Sequence, residues 1–264
     1  GELTINWSSS TEGGKHICDA NEDQISPRVT HFSGNSTVVV WQDNRTNTNS
    51  NSDIYLQYLD ENGDNLLSEN GIPVSEGTWV KQLPRAKSDG TYTFLVWEDE
   101  RSTPSWQMKS DIFGQKIDGS GNVHWTENGR QIVSLENKQE QVRLTPDGLG
   151  GVYIGWEDER ESPTPEIEIY LQHIDASDNE LAENGISVCS AEYLQRAPLL
   201  KADGSGGVYL LWEDQRTGSS AIFMQHLNNS QEISLAEDGE EQYYGIGTDS
   251  GGHSYSMGSL YLDE

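Results

Sequence analysis

Apolar runs in this chain end repeatedly on the same polar residues. Four short apolar segments close on Trp-x-Asp-x-Arg: VVVWQDNR (Trp41, Asp43, Arg45), FLVWEDER (Trp97, Asp99, Arg101), VYIGWEDER (Trp156, Asp158, Arg160) and VYLLWEDQR (Trp212, Asp214, Arg216). The tryptophans recur after 56, 59 and 56 residues, and other landmarks keep step with them. DIYLQYLD, DIFGQKID, EIYLQHID and AIFMQHLN follow, with Gln57, Gln115, Gln172 and Gln225 in register. Next come SENG, TENG, AENG and AEDG, ending at Gly71, Gly129, Gly185 and Gly239. The unit is about 57 residues long and is written four times.

Inside one unit the pattern predicts four strands and no helix. APLLKAD reads as a first strand, followed by a Gly-rich turn at Asp203-Gly204 and Gly206-Gly207, where glycine adopts positive φ without steric cost. VYLLWED is continuously apolar, as a strand covered on both faces should be. IFMQHL alternates, and the more polar EISLAEDG is expected to be the outer edge strand.

A four-stranded antiparallel unit at this period predicts the blades of a β-propeller, because a single unit of this size buries too little surface to stand alone. The expected fold is therefore all-β, a single propeller domain over 1–264 with blade units at about 8–65, 66–122, 123–180 and 181–232. A weakened copy in 233–264, joined by 1–7 as its outermost strand, would make a fifth, closing blade and remove the free edges. A four-bladed ring with a tail, or a piece of a longer protein, are the alternatives.

Charge narrows the partners. The chain has 44 acidic and 16 basic residues, a formal net of −28, so phosphate backbones and anionic membrane surfaces would be repelled. No run approaches the ~18 apolar residues of a membrane span. Gly1 opens no recognisable export signal, so either none exists or the chain is a mature form or a fragment. Cys18 and Cys189 stand at matching places in two repeats and are expected to be separate buried thiols.

The ordered set Asp-Gly-x-Gly-Gly, Trp-x-Asp-x-Arg, Asp-Ile-Tyr-x-Gln and Glu-Asn-Gly, spanning residues 7 to 239, resembles repeats of large secreted Bacteroidetes-type proteins, many of them substrates of type IX secretion. That resemblance implies an extracellular or cell-surface propeller and assigns no activity. No sorting domain is present in these residues.

Near-identical copies with like surroundings do not readily take the unlike roles that catalysis needs. The repeated Trp41, Asp43, Arg45, Trp97, Trp156, Trp212, Asp214 and Arg216 are therefore read as scaffold, with indoles between blades and Asp–Arg pairs holding turns. The loops after the motif vary most. With Trp79, Trp106 and Tyr193, and the motif residues Asp99, Arg101, Asp158 and Arg160, they would offer aromatic faces beside hydrogen-bonding groups, as a sugar surface requires. No catalytic residue is singled out. The turns DENGDN (60–65) and DGSGN (118–122) could hold Ca²⁺ but read first as strand connections. His173 and His226, at one repeat position, read as surface residues.

The favoured expectation is an extracellular, non-enzymatic adhesion module that binds glycan or a surface protein, with no nucleic acid and no membrane insertion. A structural spacer in a larger secreted protein or assembly is one alternative. A glycoside hydrolase on a five-bladed propeller, which would need two carboxylates at one non-repeated place, is the other.

Overall fold

The computed structural model describes residues 14–46, 51–102, 109–160, 167–235, 238–242, 247–248 and 254–255. It is all-β and falls into two compact units, Gly1–Pro146 and Asp147–Glu264.

The first unit holds two antiparallel sheets in which sequence neighbours are spatial neighbours. One contains β1 (Gln24–His31), β2 (Thr37–Asp43), β3 (Asp53–Leu59) and β4 (Ile72–Ser75). The other contains β5 (Lys81–Ser88), β6 (Tyr92–Asp99), β7 (Asp111–Asp118) and β8 (Arg130–Val133). β9 (Gln139–Pro146) ends the unit. The second unit repeats the plan with β10 (Val152–Asp158), β11 (Glu168–Ile174) and β12 (Ile186–Cys189). β13 (Gln195–Ala202), β14 (Val208–Asp214), β15 (Ala221–Leu227) and β16 (Glu240–Gln242) form its complete sheet, and β17 (Gly247–Thr248) pairs with β18 (Ser254–Tyr255). The proposed N-terminal strand at 1–7 lies outside the described residues.

The fourth strand is not where the apolar pattern placed it. Segments equivalent to EISLAEDG make one isolated bridge each, such as Leu227 with Ile233, and then turn. The strand itself begins after the repeat glycine, so the first sheet runs from Gln24 to Ser75 and the predicted boundary at 65 falls inside it. The reason is a buried glutamine. Gln57 Oε1 accepts the N–H groups of Tyr58 and Leu67 while its Nε2 donates to Ser68 O, which holds this segment as a loop. Gln115 closes the equivalent loop through Lys116, Trp125 and Thr126.

Each core is built on an indole. Trp97, Trp156 and Trp212 are fully buried and Trp41 nearly so. In every repeat the indole N–H donates to the Asp two residues on, at 2.7–2.9 Å. The arginine closes back on the same carboxylate, for example Arg101 Nε to Asp99 Oδ1 (2.9 Å) and Arg101 to Asp99 Oδ2 (2.6 Å). It also donates to the carbonyl of Asn70, Asn128, Asn184 or Asp238 and lies over the ring of Tyr55, Phe113, Tyr170 or Phe223. Burying an ion is costly unless it is paired and hydrogen-bonded, and this arrangement supplies both. The conserved spelling of the repeat thus describes one knot: indole, carboxylate, guanidinium, carbonyl, glycine.

The two thiols are free. Each lies against the arginine of a motif, Cys18 Sγ with Arg45 (3.1 Å) and Cys189 Sγ with Arg216 (2.7 Å), and burial pushes the Cys189 thiol up to about 12. His173 is a core residue, correcting the surface reading: it stacks on Tyr153 at 4.1 Å and its Nε2 meets Asp147 Oδ2 at 2.9 Å. His226 repeats this with Tyr209 and Asp203 and is only part-buried.

Gly129 shows how tightly the knot is packed. Its φ is +102°, and a Cβ there would sit 2.5 Å from Trp97 Cζ2. Gly129→Ala is expected to destabilise the first unit by ~3 kcal/mol, combining overpacking with a disfavoured backbone. Gly34→Ala, at φ +57° with nothing within 4 Å, should cost only ~1 kcal/mol. Urea unfolding of the two variants checks the contrast.

Candidate active site

The residues expected to bind ligand separate sharply in the structure. Asp99 and Asp158 are buried, and their oxygens are engaged by an indole N–H and an arginine, so they have no acceptor directed at solvent. Arg101 and Arg160 are committed to the same pairs. Trp79 and Tyr193 are exposed, by 40% and 59%, in equivalent connections between a fourth strand and the next first strand. Trp106 lies outside the described residues. The turns at 60–65 and 118–122 connect strands, and each spends a carboxylate on its own backbone: Asp60 Oδ1 accepts from the N–H of Asn62 and Asp64, and Asp118 Oδ1 from Ser120 and Asn122. Among the described residues no three His, Cys, Asp or Glu side chains gather as a metal site.

What the sequence reading missed is the residue between Trp and Asp. It is Gln42, Glu98, Glu157 and Glu213 in the four repeats, and only Glu98 is buried. The first strands explain its setting. Each holds a non-glycine residue at positive φ, Ser26 (54°), Leu83 (51°), Gln141 (53°) and Ala197 (55°), and in β1, β5 and β13 the register slips there into a bulge. At this residue the backbone N–H leaves the ladder. That of Gln141 donates to Glu98 Oε1 at 2.9 Å, as that of Ala197 does to Glu157 Oε1 at 2.7 Å. A proline follows at Pro27, Pro84 and Pro198, where no ladder donor is needed.

Burial drives the Glu98 carboxyl up to about 7. The charge of Glu140 raises it further, while the Gln141 N–H and the guanidiniums of Arg85 and Arg143 hold it down. The two arginines stand two residues beyond Leu83 and Gln141, half-buried, and each donates to the carbonyl of the preceding residue, Pro84 or Val142. Glu140 is part-exposed and paired with Lys138 at 2.8 Å.

Trp79 belongs to the same end of the second sheet. Val80 O accepts the N–H of Glu100, Lys81 pairs with Asp99 and Gln82 with Glu98 across β5 and β6. The first unit therefore brings to one end a buried carboxyl raised to about 7, a second carboxylate, two guanidiniums and an exposed indole. Such a set can transfer a proton to a polar group held against an aromatic face.

The comparisons bear on the same question. No protein-family model matches the chain and no curated protein matches it. Solved structures do, at 10–14% identity, which speaks for the fold alone. A protein of unknown function from Dyadobacter fermentans has a TM-score of 0.53, with 83% of this chain and 70% of that one covered. The polysaccharide lyase Uly1 has a TM-score of 0.52, with 97% of this chain but only 58% of that one covered. A thermostable family-43 glycoside hydrolase has a TM-score of 0.49, with 91% and 83% covered. The expectation of a non-enzymatic adhesion module is set aside: the fold is shared with a carbohydrate-cleaving enzyme, and the motif residues assigned to ligand binding are consumed by the scaffold.

Glu98 makes a testable contribution to stability. The folded protein holds its proton more tightly than the unfolded chain, so the stability it contributes is complete below the ordinary 4.5 and is lost as pH rises through about 7. Glu98→Gln keeps an oxygen to accept the Gln141 N–H and removes the titration. Its melting temperature should gain on that of the unaltered protein as pH is raised from about 5 to about 8. A difference that stays flat with pH would show that Glu98 ionises freely.

Proposed function

We propose that the chain is a carbohydrate-processing enzyme that cleaves glycosidic bonds in a polysaccharide, with Glu98 as the proton-transferring group. The observation that carries this reading is the Glu98 carboxyl, buried, pushed up to about 7 and set beside an arginine pair at the end of the sheet that exposes Trp79. A general acid serves best when its pKa lies near the working pH. In this reading Trp79 stacks a sugar ring, Glu98 donates its proton to the departing glycosidic oxygen, and Glu140 takes a proton from the water whose oxygen bonds to the anomeric carbon as the glycosidic bond breaks. The arginines keep Glu98 from rising so far that it could not release a proton.

The reading agrees with the fold shared with a polysaccharide lyase, whose longer chain this one spans in part. It places the repeats in a β-propeller, with 233–264 and 1–7 as a closing blade, and the protein outside the cell where polysaccharides are met. Repeated antiparallel sheets in sequence order support the propeller.

The test is release of reducing ends from a panel of neutral and acidic polysaccharides. Cleavage of at least one member is expected, falling as pH rises above about 7 with loss of the Glu98 proton, and Glu98→Gln should lower kcat by about 10²-fold or more. A panel left intact by the folded protein, or a Glu98→Gln variant with unchanged kcat, overturns the proposal.

A further inference from the structure

Nine arginines occur in the chain, and four of them close the repeated knots. Three of the other five take one repeat position, two residues beyond the positive-φ residue of a first strand. They are Arg28 after Ser26-Pro27, Arg85 after Leu83-Pro84 and Arg143 after Gln141-Val142. Their guanidiniums curl in the same way, with NH1 donating to Pro27 O (2.9 Å), Pro84 O (3.4 Å) and Val142 O (3.0 Å). β1 packs beside β5 and β5 beside β9, so the three positions follow one another across the first unit. All three side chains are half-buried, which limits their hydration while keeping part of each at the surface. The fourth repeat has Leu199 at this position.

We infer that Arg28, Arg85 and Arg143, in one register on three neighbouring first strands, form an anion-binding row for the acidic groups of the polysaccharide, uronate carboxylates or sulfate esters. The inference rests on the cleavage site proposed above and names its substrate class. Guanidinium forks suit these groups because they can offer two parallel N–H donors to a carboxylate or an ester oxyanion. Cations concentrated on one row are conspicuous in a chain of net charge −28. The surrounding acidic surface does not forbid an anionic ligand. At physiological ionic strength charges beyond roughly 8 Å are largely screened, whereas contacts inside the row are not. The row also runs past Glu98, since Arg85 and Arg143 both act on its carboxyl, so a charged sugar held there would set the adjoining linkage against the proton donor.

The experiment is calorimetric titration of the folded chain with three probes of equal length: oligogalacturonate as free acid, the same oligomer fully methyl-esterified, and a sulfated galactan oligomer. At least one charged probe should bind about tenfold or more tighter than the ester. Arg28→Gln, Arg85→Gln and Arg143→Gln should each weaken it by roughly tenfold, with Arg85→Lys retaining part of the affinity. Carboxylate and sulfate sources are told apart by which charged probe binds. The acid-versus-ester comparison needs no substitution, so a poorly folding variant does not blunt the test. Equal binding of acid, sulfate and ester, or three Gln variants that bind normally, overturns the inference. Parallel cleavage assays separate the two claims. Charged probes held through the row but never cleaved support the row and remove the cleavage reading. Cleavage of neutral glycan alone, with no preference for charged probes, does the reverse.

Discussion

Everything in the repeat follows from the cost of burying a carboxylate. Asp43, Asp99, Asp158 and Asp214 are essentially inaccessible to water, and an unpaired charge in that position would destabilise the fold by several kcal/mol. Each is therefore met by an indole N–H, a backbone N–H and an arginine, and the arginine in turn needs a carbonyl and an aromatic face. The carbonyl comes from a residue held at positive φ, Asn70, Asn128, Asn184 or Asp238, and the glycine after it lies flush against the indole. One buried charge thus dictates residues spread over some thirty positions of sequence. This is why the landmarks keep their spacing while the loops between them vary.

Repetition of the scaffold does not impose repetition of the chemistry. Glu98, Glu157 and Glu213 occupy one repeat position, yet only Glu98 is removed from solvent. The same holds for the position two residues past the positive-φ residue, with arginine in three repeats and leucine in the fourth. A repeat array can hence carry a single site: the knots provide a rigid base, and neighbouring positions are free to diverge around it. The motif residues share their surroundings in every repeat, whereas the residue set between Trp and Asp does not.

The positive-φ residues of the first strands tie scaffold to site. A non-glycine residue at positive φ is strained and persists only where its surroundings over-determine it. Here the return is a backbone N–H diverted from the sheet to a glutamate, which links one repeat to the next and holds the Glu98 carboxyl in place.

The sequence by itself determined the repeat, the all-β class, the continuously apolar second strand and the structural reading of the Trp-x-Asp-x-Arg residues, because these depend on local periodicity and on spacing that survives in one dimension. It placed the fourth strand too early, since the polar segment after the third strand is held as a loop by Gln57 and its counterparts, buried contacts that no alternation reports. It also left Glu98, Glu140, Arg85, Arg143 and Arg28 unmarked. Their types are ordinary, and their meaning comes from burial and from strands more than forty residues apart lying side by side. Only the tertiary structure could decide that one glutamate among three is dry and that three arginines share a row, because desolvation and proximity are properties of packed strands and not of the order of residues along them.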